Sequence, residues 1–226
     1  YTLPQNEAYS EEKFLKATER ANILETALTF FIQELWADQD QKVLTYLKNR
    51  GYTETDIEIM EVGYYPSYQK TRSYLINKGY SQENISNLFK WMELDTSHRE
   101  DYCLVIPYRD TMGNLAGFYG RITGNLKDGE KDKYKPLTEV EKLKDNLFNL
   151  HKARKEKRLT IVEGYLDALI ASARGIKGVV ATGGSTLTKT QFENLAKHGF
   201  KYLVLSLDND KAGNEGTERS IKLLSH

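Results

Sequence analysis

The sequence predicts an α/β protein in which a parallel sheet with flanking helices follows a mixed α+β subdomain. Two observations carry this. From Leu159 onward, strand-like runs at 159–163, 178–182 and 202–208 alternate with helix-like stretches at about 165–174, 188–198 and 212–224. Short elements in strict alternation imply parallel strands joined by right-handed crossovers. Upstream the rhythm differs, with a string of short helices followed by a pair of strands. The expected organisation is a helical lead-in over 1–38, an N-terminal subdomain over 39–157 and the parallel-sheet domain over 158–226.

In the lead-in, Phe14, Ala17, Ala21, Leu24, Leu28, Phe31 and Leu35 recur at three- and four-residue steps. They predict one helix whose apolar stripe packs on its own domain, or alternatively docks on a partner. Gln41 to Arg50 is helical and closes at Gly51, an expected C-cap. Thr53 opens the next helix, with Asp56 three residues on as an approximate capping box. Gly63-Tyr64-Tyr65-Pro66 is extended, because Pro66 steers Tyr65 away from the helical region. Helices follow at about 67–78 and 82–92. Strand-like segments at 102–108 and 115–121 are joined by a turn at 110–114. A lysine-rich loop over about 124–138 and Leu147-Phe148-Asn149-Leu150 lead into a short helix.

Composition narrows the function. The 226 residues suffice for one large domain or two modest ones, and 39% hydrophobic with 28% charged residues describes a soluble core under a heavily charged surface. No run approaches the roughly 18 apolar residues of a membrane span. The chain begins at Tyr1 without a leader, so a piece of a longer cytoplasmic protein is expected. A single cysteine, Cys103, excludes an internal disulfide and a cysteine-rich zinc site within this chain. With 32 basic and 32 acidic residues the formal charge is zero. Any nucleic-acid partner must therefore meet a local basic patch or be delivered by another domain. From Arg121 to Arg158 there are twelve Lys or Arg against seven Asp or Glu, a local excess of five.

The chemistry sits at the strand ends, where open parallel sheets collect ligands. The first strand ends in Glu163-Gly164, and Asp167 falls in the first turn of the next helix. The third strand ends in Asp208-Asn209-Asp210, whose two carboxylates project to one side if the stretch is extended. Up to four carboxylates in one cleft raise each other's pKa and call for hard cations such as Mg²⁺ or Mn²⁺. The bland alternative is a helix N-terminus and a polar turn. Thr182-Gly183-Gly184-Ser185-Thr186 follows the second strand, and its glycines could free backbone N–H groups for a phosphate.

These residues resemble the TOPRIM signature as bacterial DnaG-type primases carry it: Glu163-Gly164-Tyr165-Leu166-Asp167, Ala181 to Thr186, and Asp208-Asn209-Asp210-Lys211-Ala212-Gly213. Upstream, Tyr46-Leu47-Lys48-Asn49-Arg50-Gly51 with Gly63-Tyr64-Tyr65-Pro66 is similar to the start of the primase RNA-polymerase core. Ile106-Pro107-Tyr108-Arg109-Asp110, Gly117-Phe118-Tyr119-Gly120-Arg121, Lys133-Tyr134 and Leu147 to Leu150 follow in the family's order. The resemblance spans about residues 40–226. It departs where Lys135-Pro136-Leu137-Thr138-Glu139 replaces an Asn-Ser-Pro-Glu-Thr-like run.

The resemblance implies a TOPRIM-type sheet with Glu163, Asp208 and Asp210 as catalytic acids. The same three with Asp167 would be ligands of Mg²⁺ or Mn²⁺, two or more ions. It implies nucleic-acid or nucleotide contacts from Arg109, Arg121, Lys133, Tyr134, Gly183, Gly184 and Lys211. Further metal-holding acids would lie beyond His226. The implied reaction is template-directed synthesis of short RNA primers on single-stranded DNA from nucleoside triphosphates. The implied partners are a replicative helicase and a zinc-binding domain outside this chain. Competing readings are a topoisomerase-like or nuclease-like TOPRIM enzyme, and a non-catalytic module that binds DNA or the replisome.

Overall fold

The structure is a computed structural model that describes residues 7–38, 40–94, 101–124, 132–139 and 145–224. Much of the expected lysine-rich loop lies outside the described residues. The first helix, α1 (Glu7–Ala37), is followed by α2 (Lys42–Asn49), α3 (Glu54–Met60), the short strand β1 (Gly63–Tyr64), α4 (Tyr68–Asn77), α5 (Gln82–Leu88) and α6 (Lys90–Leu94). Strands β2 (Leu104–Arg109), β3 (Leu115–Arg121) and β4 (Tyr134–Pro136) and the single-turn α7 (Leu150–Ala153) complete the first part. Then come β5 (Arg158–Val162), α8 (Tyr165–Ala173), β6 (Val179–Ala181), α9 (Lys189–Ala196), β7 (Tyr202–Leu205) and α10 (Lys211–Leu224).

The first sheet runs β1-β2-β3-β4 and is antiparallel throughout. The second runs β6-β5-β7 and is parallel, with β5 in the middle. An antiparallel bridge between Phe148 and Ala181 ties α7's approach to the outer edge of β6. The two sheets share a core. One buried cluster takes Leu44, Leu47, Ile57 and Met60 from the short helices, Ile106 and Tyr119 from the antiparallel sheet, and Leu166, Leu169 and Ala181 from the parallel unit. No helix among the described residues is long and apolar enough to cross a membrane.

Local chemistry accounts for most boundaries. Thr53 and Asp56 form a reciprocal capping box on α3, the Asp56 N–H donating to Thr53 Oγ1 at 3.1 Å and the Thr53 N–H to Asp56 Oδ2 at 2.9 Å. Gly51 follows α2 at φ +81°, the left-handed conformation that closes a helix. Asp110 Oδ1 accepts from the N–H groups of Met112 and Asn114, which builds the β2–β3 turn.

Four expectations needed correction. The α1 stripe is buried only from Ile23 to Leu35; Phe14 is 69% exposed and Ala17 is exposed. The helix expected over 82–92 is two helices. They meet at Phe89, whose ring is fully buried and stacks on Phe118 at 6.4 Å. A strand, β4, stands inside the expected loop and pairs Tyr134 with Arg121. Finally, β7 ends at Leu205, so Asp208 to Asp210 lie in a connection and not on an extended strand.

Asp56 does a second job. The Arg174 guanidinium, just past α8, reaches it at 2.9 Å and also donates to the Gly51 carbonyl at 2.9 Å. This clamps α3 to α8 across the junction of the two units. The hydrogen bond from Arg174 and the Thr53 backbone amide hold the Asp56 carboxyl down at about 2. A depressed carboxylate contributes stability that is present above its unfolded pKa and is lost as pH falls through its folded value. The urea-midpoint gap between wild type and Asp56→Asn should therefore be full at about pH 6 and shrink between about pH 4 and about pH 2. A gap that is unchanged down to about pH 3 contradicts the clamp.

Candidate functional site

Because β5 is central and β7 is its parallel neighbour, their carboxyl ends emerge side by side. The Ser206 N–H still donates to the Ile161 carbonyl at 2.8 Å as the chain leaves the sheet. Two residues later the Asp208 N–H donates to Glu163 Oε1 at 3.1 Å, so the two acidic residues meet through a backbone amide. Asp167, in the first turn of α8, faces the same cleft and lies 3.8 Å from Arg50. Asp210 is used differently. Its Oδ1 accepts from the Gly213 N–H at 2.8 Å and caps α10.

The four carboxylates are thus not gathered into one knot. Among the described residues no three His, Cys, Asp or Glu side chains are close enough together to hold a metal ion. They nevertheless feel one another. Shielding from water pushes the Glu163 carboxyl up, against the pull of the Asp208 amide, and the charges of Asp208, Asp210 and Asp167 push it further. The same shielding raises Asp167, with Arg50 and Arg121 pulling down and Asp208 pushing up. Carboxylate oxygens are the donor type a hard divalent cation takes, but Glu163, Asp167 and Asp208 are not drawn closely enough together here to form a closed site for one.

Cations share the cleft. Its open volume of about 590 Å³ is lined by Glu163, Asp167, Asp208 and Asp132 together with Arg50, Arg121, Lys133 and Lys135. Arg121 is buried at the end of β3. Its Nε donates to the Tyr134 hydroxyl at 3.0 Å, its Nη1 to the Ile122 carbonyl at 2.9 Å, and its guanidinium lies over the rings of Tyr46 and Tyr134 at 5.0 and 5.2 Å. Such stacking fixes the direction of the charge. Arg50 stacks likewise near Tyr46 and Tyr52. Lys135 lies 4.7 Å over the Tyr102 ring.

Beneath the cleft, Tyr165 packs against Tyr119, Tyr134 and Phe148 with ring centroids 4.8 to 5.2 Å apart. Gly183, at φ +71°, presses its backbone onto the same tyrosine. The Gly183 N–H donates to the Glu163 carbonyl at 3.0 Å, and the Gly184 N–H to Thr182 Oγ1 at 3.4 Å. The Gly183 amide ties the loop to the end of β5, and the Gly184 amide is taken up within the loop. The expectation that the glycines free N–H groups for phosphate is corrected accordingly.

Of the residues singled out in the sequence, the fold brings Glu163, Asp167, Asp208, Arg121, Lys133, Tyr134, Gly183 and Gly184 to one cleft. It does not bring Arg109, Asp210 or Lys211 to its lining. Arg109 binds Glu25 of α1 at 2.9 Å and Glu61 at 3.1 Å, a clamp between helices. Lys211 is exposed at the start of α10. Sequence reading passed over Arg50, Lys135 and Tyr165 as site residues. Arg50 stood next to a C-cap glycine, where a basic residue is ordinary, and only tertiary packing turns it toward Asp167.

Known proteins resemble the chain along most of its length. The family described as DNA primase catalytic core, N-terminal domain matches residues 30–154, and the one described as Toprim-like matches 160–226. A DNA primase of Enterococcus faecalis is 32% identical over 196 residues, 81% of this chain and 31% of the relative. A DNA primase of Rickettsia prowazekii is 31% identical over 240 residues, 98% of this chain and 37% of the relative. The chain therefore spans about a third of the length of these curated relatives. The crystal structure of the zinc-binding and RNA polymerase domains of Aquifex aeolicus primase superposes with a TM-score of 0.75 at 28% identity. That match covers 92% of this chain and 52% of the other.

Helix α10 reaches the site through two glycines on one face. A Cβ on Gly213 would meet the Asp208 carbonyl and lie 2.9 Å from Glu163 Oε1; one on Gly216 would collide with the Ser185 carbonyl. Gly216→Ala should lower stability by about 1–3 kcal/mol, because the atoms it meets first are Ser185 backbone and not the end of a flexible side chain. Urea unfolding checks this. A variant as stable as wild type would show that α10 does not sit so close.

Proposed function

The chain belongs to the family of DNA primase catalytic cores, and on that basis we propose that its cleft carries out template-directed synthesis of short RNA primers on single-stranded DNA. The observation that carries the reading is that one cleft gathers both kinds of group. Glu163, Asp167 and Asp208 line it together with Arg50, Arg121, Lys133 and Lys135. A nucleoside triphosphate needs cationic side chains for its phosphates and oxygen ligands for the divalent ions it carries.

In this reading Lys133, Arg121 and Arg50 hold the triphosphate. Arg121 is aimed by Tyr134 and the Ile122 carbonyl, and Arg50 by Tyr46 and Tyr52. Glu163 and Asp208, with Asp167, hold Mg²⁺ or Mn²⁺, in two or more ions. When bound, such ions neutralise the phosphates and favour the deprotonated 3′-hydroxyl. The hydroxyl oxygen forms a bond to the α-phosphorus and pyrophosphate leaves. We assign Asp210 to holding the Asp208 loop in place through its cap on α10. Residues 39–157 act as the nucleotide- and template-facing subdomain, and 158–226 as the acidic one. A zinc-binding domain outside this chain and a replicative helicase are the proposed partners, in the cytoplasm.

Glu163→Gln keeps the acceptor for the Asp208 amide and removes the charge. It should abolish Mg²⁺- or Mn²⁺-dependent dinucleotide formation on a single-stranded template while leaving the circular dichroism spectrum unchanged. Full activity in that variant would refute the assignment. Cleavage of labelled DNA with Mn²⁺ and no nucleotides would point to a nuclease instead.

A further inference from the structure

We propose that the end of the parallel sheet opposite the acidic cleft is a second nucleic-acid contact, a cationic platform that holds a single strand by its phosphates. Strand pairing builds it. Arg158 and Tyr202 are cross-strand partners at the start of β5 and β7. The N–H groups of Lys201 and Tyr202 both donate to the Lys157 carbonyl, at 2.8 and 3.1 Å. On the other side the Thr160 N–H donates to the Gly178 carbonyl at 2.8 Å, which brings Lys177 to the same end.

Lys157, Arg158, Lys177 and Lys201 are all exposed, and none forms an ion pair among the described residues. Lys155 adds a fifth exposed cation, and the one acid in these segments, Glu156, is half-buried. Cations commonly settle at helix C-termini, which accounts for Lys177 after α8. Lys157, Arg158 and Lys201 lead into strands instead, where no helix end offsets them. In a chain with 32 basic and 32 acidic residues, such a cluster is a local field and not a general excess.

The aromatic neighbour selects the partner. Tyr202 is 64% exposed beside Arg158 and makes no ring contact among the described residues. An exposed ring among unpaired cations suits a strand whose bases stack while its phosphates are neutralised. A purely acidic peptide needs the cations and has no use for the ring. The inference rests on the reading that this chain works on nucleic acid, but places the contact away from the reacting cleft.

Fluorescence anisotropy with a labelled oligothymidylate of about 20 nucleotides, without metal or nucleotides, tests it over about 50 to about 200 mM KCl. Lys157→Glu with Lys201→Glu should raise Kd about tenfold or more and make the salt dependence shallower. Tyr202→Ala should raise Kd by about fivefold or more. Lys157→Gln with Lys201→Gln serves if the reversed pair does not fold. Kd within about twofold of wild type in the charge and tyrosine variants would overturn the platform. So would a wild-type chain that prefers oligoglutamate to DNA and loses it on charge reversal. A chain that makes primers yet binds DNA equally well as either variant refutes only the platform. One that binds through the platform yet makes no primers refutes only the primase reading.

Discussion

The site depends on one backbone contact, the Asp208 amide donating to the Glu163 carboxylate. It exists because β5 and β7 are parallel neighbours, so that their carboxyl ends emerge at the same level. Two like charges would otherwise drive these side chains apart. The amide gives Glu163 a fixed acceptor direction, and Gly213 lets α10 close behind Asp208 without a side chain in the way. Asp210 supports the same arrangement from the other end by capping α10. The loop after β7 is thus held by a strand, a helix and the carboxylate it serves.

Charge is segregated within a neutral chain. Glu163, Asp167 and Asp208 come from the segments that follow β5 and β7, and Arg50, Arg121, Lys133 and Lys135 come from the end of α2, from β3 and from the start of β4. Neither unit makes a cleft alone. The common core and the Asp56–Arg174 clamp hold the two units together, so their contribution to the cleft is positional. Aromatic rings finish the alignment. Arg121 lies over Tyr46 and Tyr134, and Tyr134 rests in turn on Tyr165.

Much of this was legible from residues alone. The alternating runs from Leu159 onward placed Glu163 and Asp167 at a strand end and a helix start, and the strand over 115–121 matches β3 at both ends. The capping box at Thr53 and Asp56 formed as the spacing implied. What escaped depended on long-range packing. Nothing local to Arg50 says that α2 turns it toward Asp167, and β4 is three residues long and paired only through β3. The Asp208–Asp210 stretch read as extended because its apolar prefix did. The sheet ends at Leu205, and the second aspartate turns to the helix that follows. The resemblance of ordered motifs reached further than periodicity, yet it carried Arg109 to the cleft, whereas Glu25 and Glu61 hold it elsewhere.

The central claim is that Glu163 and Asp208 together form the seat of a divalent cation. Titrating the protein with Mn²⁺ and following the free ion by electron paramagnetic resonance tests this directly. Asp208→Asn, which preserves the backbone amide and the side-chain shape, should weaken Mn²⁺ binding by about tenfold or more. Mn²⁺ affinity equal to that of the wild type would contradict the account.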